Sequence, residues 1–135
     1  MKCLLVDDDP RVVDLLHKYL SGQAQCQTAS GGPEAVAAFR QALADQAPFD
    51  VVFMDILMPD MDGHETVKAL RDLESGAGIV GPSEFRLVMI TSAADVKNVT
   101  KAFFRGYASS YLVKPFSKEK VLGALAASAP RDCGE

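Results

Sequence analysis

Residues 2–12 read KCLLVDDDPRV, an apolar run that ends in three consecutive aspartates and a proline. A run with almost no polar alternation marks a strand covered on both faces, over residues 2–6. Beyond Pro10, Val12, Val13, Leu16, Tyr19 and Leu20 recur at helical spacing, and Gly22 supplies the stop signal. A buried strand that runs straight into a helix is half of a βαβ unit. Whether the unit repeats decides the fold class.

It does repeat. Residues 24–28 (AQCQT) alternate and predict a half-exposed strand. SGGP then opens a helix, with Pro33 suited to its first turn and Val36, Phe39, Ala42 and Leu43 along its inner face. Residues 49–54 (FDVVFM) predict a third, buried strand, and residues 55–63 (DILMPDMDG) a turn-rich loop. Val67, Leu70 and Leu73 mark a third helix. Residues 73–85 (LESGAGIVGPSEF) read as a long surface connection. Residues 86–90 (RLVMI) form another buried strand; Val96, Val99 and Phe103 mark a fourth helix; residues 110–113 (SYLV) form a short strand; and Val121, Leu122 and Leu125 belong to a last helix. Such alternation predicts an α/β chain: one doubly wound domain over residues 1–128, a five-stranded parallel sheet with five helices, and a flexible tail at 129–135. The three most apolar strands belong in the centre, which gives the order 2-1-3-4-5, the flavodoxin-like arrangement.

Composition limits the function classes. The chain has 135 residues, 48% of them hydrophobic, so one core can form without staples. A net charge of −4 argues against a nucleic-acid surface, which needs a basic face. No apolar run approaches the roughly 18 residues of a membrane span, and the first residues lack a signal peptide's pattern. The expectation is a soluble, cytoplasmic protein. The three cysteines fit neither a metal site nor a disulfide framework. Cys3 and Cys26 are expected in the core, and Cys133 lies in the tail. His17 and His64 read as ordinary helix residues.

The chemistry gathers where each strand ends. In this topology ligands bind beyond the carboxyl ends of the strands, where the order reverses between strands one and three. Asp7, Asp8 and Asp9 follow strand one; Asp55 follows strand three; Thr91 and Ser92 follow strand four; Lys114 and Pro115 follow strand five. Two carboxylates about 5 Å apart repel by about 3 kcal/mol at an effective dielectric near 20, so three need a cation among them. An all-oxygen site left partly open to water favours Mg2+ over Zn2+. A hydroxyl and an ammonium suit phosphoryl oxygens, and a carboxylate is an established phosphoryl acceptor. Asp9, just before Pro10, reads chiefly as a helix cap.

The segments LLVDDDP, VVFMDILMPDMDG, ITSA and YLVKPF resemble, in order and spacing, the receiver domains of bacterial response regulators, and the resemblance runs over about residues 2–128. It implies a CheY-like signalling switch rather than an enzyme. Such a switch takes its phosphoryl group from a histidine kinase or phosphotransfer protein and acts on a downstream protein target or output domain, without direct nucleic-acid or membrane contact. It allows a phosphorylation-dependent dimer. By motif match, Asp55 is the expected phosphoacceptor. Asp8 and Asp55 are expected Mg2+ ligands, with Asp7 acting through water and the Leu57 backbone carbonyl completing the set. Lys114 is the expected phosphate-binding lysine, joined to Pro115 by a cis bond, and Tyr111 the rotating aromatic. For the switch hydroxyl, Ser92 precedes Ala93 and stands at the family's usual distance from Lys114. Thr91 is the alternative, one residue too far. Leu57 and Ala94 occupy the positions that influence attacking water in this family, and neither side chain can orient it. Phe104 and Tyr107 are expected on the face shared by the fourth helix, strand five and the last helix.

Two rivals fare worse. A haloacid dehalogenase-type phosphatase also uses an aspartate, Mg2+, a hydroxyl and a lysine. Its strand-one motif needs Thr or Val where Arg11 stands, and a further acidic pair that does not follow KPF. A flavodoxin-like cofactor binder needs a phosphate loop rich in glycine and hydroxyls where this chain has acids.

Overall fold

The computed structural model describes residues 1–56, 63–92 and 110–128. Five parallel strands form one sheet: β1 (Lys2–Val6), β2 (Gln25–Ala29), β3 (Val51–Asp55), β4 (Arg86–Ser92) and β5 (Ser110–Lys114). Their order is β2-β1-β3-β4-β5. The helices described are α1 (Pro10–Leu20), α2 (Gly32–Ala44), α3 (Gly63–Gly76) and a C-terminal helix (Lys118–Ser128). The fourth helix expected around Val96, Val99 and Phe103 lies outside the described residues, as do Phe104, Tyr107 and the tail.

The centre of the sheet follows from composition. Every residue of β3 is buried, as are the last four of β1, whereas edge strand β2 buries only Ala29. Alternate side chains feed two cores. On one face, Leu4, Val52, Met54, Leu87 and Met89 pack with Phe39 of α2 and Leu70 of α3. On the other, Leu5, Phe53, Val88, Ile90 and Leu112 pack with Leu16 and Leu20 of α1 and Val121 of the C-terminal helix.

Local signals set the helix starts. The Asp9 carboxylate accepts the Arg11 N–H at 2.9 Å, and Pro10 takes the first position, where no N–H is needed. The Ser117 hydroxyl accepts the Lys120 N–H at 3.2 Å ahead of the last helix.

The structure moves several boundaries. β2 begins one residue later than its alternation predicts, and β3 starts at Val51, although Phe49 is buried against Phe39 with ring centroids 6.0 Å apart. The inner face of α2 turns toward Ala35, Phe39 and Ala42, leaving Val36 and Leu43 at its flanks. β4 and β5 run on to include Ser92 and Lys114. Helix α3 continues through Gly76 into the stretch expected to be loop. The reason is Glu74, only 1% exposed, whose carboxylate accepts the Phe85 N–H at 2.7 Å and pairs with Arg71 at 3.2 Å. These contacts tie the far end of the connection back to the helix, and Phe85 enters the core. Cys26, expected in the core, is half-buried because β2 is an edge. His17 and His64 lie in α1 and α3 as expected.

Candidate functional site

The carboxyl ends of β1, β3, β4 and β5 bring the expected residues to one rim. Residues paired in register on neighbouring strands point the same way, and successive residues alternate. Asp55 is opposite Ile90, and Ser92 opposite Lys114. Asp55, Ser92 and Lys114 therefore share the face that carries α1 and the C-terminal helix. Asp7 follows Leu5 of that face by two residues. Thr91 falls on the opposite face; it is buried, and its hydroxyl donates to the Ser92 carbonyl at 3.1 Å.

Asp7 and Lys114 form the tightest ion pair here. Lys114 Nζ is 3.0 Å from Asp7 Oδ2 and 3.8 Å from Asp55 Oδ2. The other Asp7 oxygen, Oδ1, accepts the Asp9 N–H at 2.9 Å. Oδ2 is buried without a hydrogen bond of good geometry, so the ion pair is its compensation. Burial pushes the Asp7 carboxyl above its ordinary value, against the opposing pull of the Asp9 N–H and Lys114. For Lys114 burial works against the charge, but Asp7, Asp55 and Asp8 outweigh it and hold the ammonium above the ordinary lysine value.

Asp7, Asp8 and Asp55 each offer a carboxylate oxygen, all within 4.8 Å of one another. Asp7 and Asp55 are buried and Asp8 is exposed, so the cluster has a dry floor and a wet side. A hard divalent cation with water ligands fits such a donor set. Beside it is a cleft of about 320 Å3 lined by Asp8, Asp9, Asp55, Ile56, Thr91, Ser92 and Lys114. The Lys114–Pro115 bond is cis. Tyr111, 43% exposed, stands opposite Met89 on β5. Leu57 and Ala94 lie outside the described residues.

Sequence reasoning missed two features of this rim. The first is the direct Asp7–Lys114 pair; no local pattern announces a contact between the first and last strands' ends. The second is Gly63, whose N–H donates to the Ile56 carbonyl at 2.8 Å. A Cβ at Gly63 would sit 2.5 Å from the Asp55 carbonyl oxygen and 2.9 Å from the Ile56 Cα. The signal was present in the last letter of DILMPDMDG, but only as a turn glycine.

A doubly wound domain in the strand order 2-1-3-4-5, with clustered acids, a hydroxyl and a lysine at its switch point, belongs to the flavodoxin-like class of α/β proteins. Residues 3–126 match the family model of the response regulator receiver domain, and the chain belongs to that family of two-component signalling regulators. It is 37% identical over 121 residues to the two-component response regulator ARR22 of Arabidopsis thaliana, covering 87% of this chain and 76% of that protein. It is 32% identical over 123 residues to the chemotaxis protein CheY of Halobacterium salinarum, covering 90% and 91%. Among solved structures, Vibrio cholerae chemotaxis protein CheY4 superposes with a TM-score of 0.75 at 31% identity, covering 94% of this chain and 97% of that one. No described helix is long and apolar enough to cross a membrane.

Proposed function

We propose that this chain is a phosphoacceptor switch in which Asp55 takes a phosphoryl group from the phosphohistidine of a sensor kinase or phosphotransfer protein. The observation that carries this reading is that Asp55, Ser92 and Lys114 occupy one face of the sheet rim beside the Asp7–Asp8 pair. A carboxylate oxygen of Asp55 attacks phosphorus as the bond from phosphorus to the donor's histidine nitrogen breaks, leaving an acyl phosphate and a neutral imidazole. Asp7, Asp8, Asp55 and the Leu57 carbonyl are the residues that would hold Mg2+. When bound, the ion supplies positive charge to carboxylates and phosphoryl oxygens that would otherwise repel. The Lys114 ammonium, already at the rim, gives a compact charge to one phosphoryl oxygen, and the Ser92 hydroxyl donates to another.

The output is a change of surface. The new group draws Lys114 away from Asp7 and draws Ser92 toward it, and Tyr111 turns inward from its exposed position. The face around β5 and the C-terminal helix then fits a downstream target, an output domain or a second copy of the chain. The setting is the cytoplasm, where such kinases act.

Incubation with a small radiolabelled acyl phosphate and Mg2+ tests the assignment. The expected result is label on the wild type and none on Asp55→Asn. Label retained by Asp55→Asn would overturn it.

A further inference from the structure

Cys3 and Cys26 face each other across the sheet edge. They are register partners on the parallel pair β1–β2, and both side chains lie on the α1 face. Cys3 is fully buried within that core, while Cys26 packs against it from the edge strand and is half-buried. Cys26 also lines a surface cleft of about 490 Å3 with Asp14, His17, Gln27 and Thr28, a polar lining that admits water and small polar solutes. Both cysteines are free thiols. We propose that Cys26 and Cys3 form an oxidisable dithiol: Cys26 is the thiol that attacks hydrogen peroxide, and Cys3 is the neighbouring thiol that closes a reversible disulfide.

Three features make the pair suitable. Neighbouring strands lie about 4.8 Å apart, inside the range of about 4.4–6.8 Å that Cα atoms span across a disulfide. Parallel partners hold their Cβ atoms somewhat wider than a relaxed bridge, so one strand must give. β2 is the strand able to do so, because it is paired on one side only and mostly exposed. A bridge made this way is strained, and strained bridges are the readily reduced ones, which suits a reversible modification better than a staple. The two thiols also differ in the required sense. The contact from Cys3 holds the Cys26 thiol below its ordinary value despite burial, and the same contact together with burial pushes Cys3 well up. The thiolate is the nucleophile, so Cys26, the partner that lines the cleft, reacts first.

The chemistry balances. The Cys26 thiolate attacks one peroxide oxygen; the S–O bond forms as the O–O bond breaks, and the departing oxygen leaves as water after taking a proton. Cys26 is then a sulfenic acid. The Cys3 sulfur attacks the Cys26 sulfur, its proton passing to the departing hydroxide, which leaves as the second water. Two thiols are oxidised by two electrons in total, and one peroxide is reduced to two waters.

The test uses the full chain carrying Cys133→Ser, so that Cys3 and Cys26 are its only thiols. Hydrogen peroxide treatment, followed by alkylation and peptide mapping, should remove both thiols together and yield a linked Cys3–Cys26 peptide that dithiothreitol releases. In a second variant with Cys3→Ala added, dimedone should trap the sulfenic acid on Cys26. With Cys26→Ser added instead, Cys3 should react at least about tenfold more slowly than Cys26 does in the Cys3→Ala protein, because Cys3 is fully buried whereas Cys26 lines the cleft. A Cys26 that stays fully alkylatable would overturn the proposal. So would a Cys26 that oxidises only to chain-to-chain dimers, or a Cys3 that reacts as fast as Cys26.

Discussion

Lys114 Nζ lies 3.0 Å from Asp7 Oδ2, so the ammonium at the end of β5 neutralises a buried carboxylate at the end of β1. The same ammonium is 3.8 Å from Asp55, and it therefore stands where a cation in the acidic cluster is repelled by it. Lys114→Ala should tighten Mg2+ binding severalfold in a calorimetric titration while lowering stability in its absence by up to about 3 kcal/mol, the cost of leaving one partner of a buried pair unmatched. Phosphoryl incorporation should fall with the same substitution. Weaker Mg2+ binding by the variant would show that the lysine organises the cluster instead of competing with the ion.

The two adjacent hydroxyls separate by face. Ser92→Ala should cut the rate of phosphoryl transfer to Asp55. Thr91→Val should leave the rate near that of the wild type and cost about 1 kcal/mol in urea unfolding, the usual worth of a hydrogen bond. The reverse pattern would move the switch hydroxyl to Thr91.

Gly63 has backbone, not flexible side chain, in the space a Cβ would fill. Gly63→Ala should destabilise by about 1–3 kcal/mol, as overpacking does, and should also slow phosphorylation because the strain falls on the Asp55 carbonyl. Unchanged stability would mean that the β3–α3 junction yields freely.

Glu74 should leave a pH signature away from the phosphoacceptor rim. Burial holds its carboxyl above the ordinary value of 4.5 even though Phe85 N–H and Arg71 favour the charge. The folded state thus binds the proton more tightly than the unfolded one. Its contribution to stability is greatest below pH 4.5 and declines as the pH rises through the folded value, beyond which it is constant. Urea unfolding from pH 4 to 7 should show that decline in the wild type relative to Glu74→Gln, which cannot ionise. Parallel curves for the two proteins would contradict it.

Leu57 and Ala94, two residues past Asp55 and Ser92 in the sequence, have apolar side chains that cannot hydrogen-bond water. The phosphorylated protein should therefore lose its label slowly, over minutes or longer with Mg2+ at room temperature. Loss within seconds, followed by gel autoradiography, would contradict this.

The order of the sheet was legible because burial leaves a compositional trace. A strand covered on both faces, such as β3, has no polar positions to spare, whereas β2 alternates. Once the order was set, the ends of β1, β3, β4 and β5 had to meet, which put Asp7, Asp8, Asp55 and Lys114 among the strand-end residues at one rim, and the receiver resemblance assigned their roles. Glu74 shows the limit. A glutamate among glycines reads as loop, and only the buried Phe85 N–H, eleven residues on, explains why the helix continues.

The sequence by itself determined the fold class, the strand order and the set of chemical groups at the rim, since hydrophobic period and strand-end residues are local properties. The tertiary structure decided what lies between those groups: that Lys114 is paired with Asp7, that Ser92 and not Thr91 shares the face of Asp55, and that Cys26 stands beside Cys3 on the α1 face. Those are matters of register and distance between strands far apart in the chain, and no local pattern encodes them.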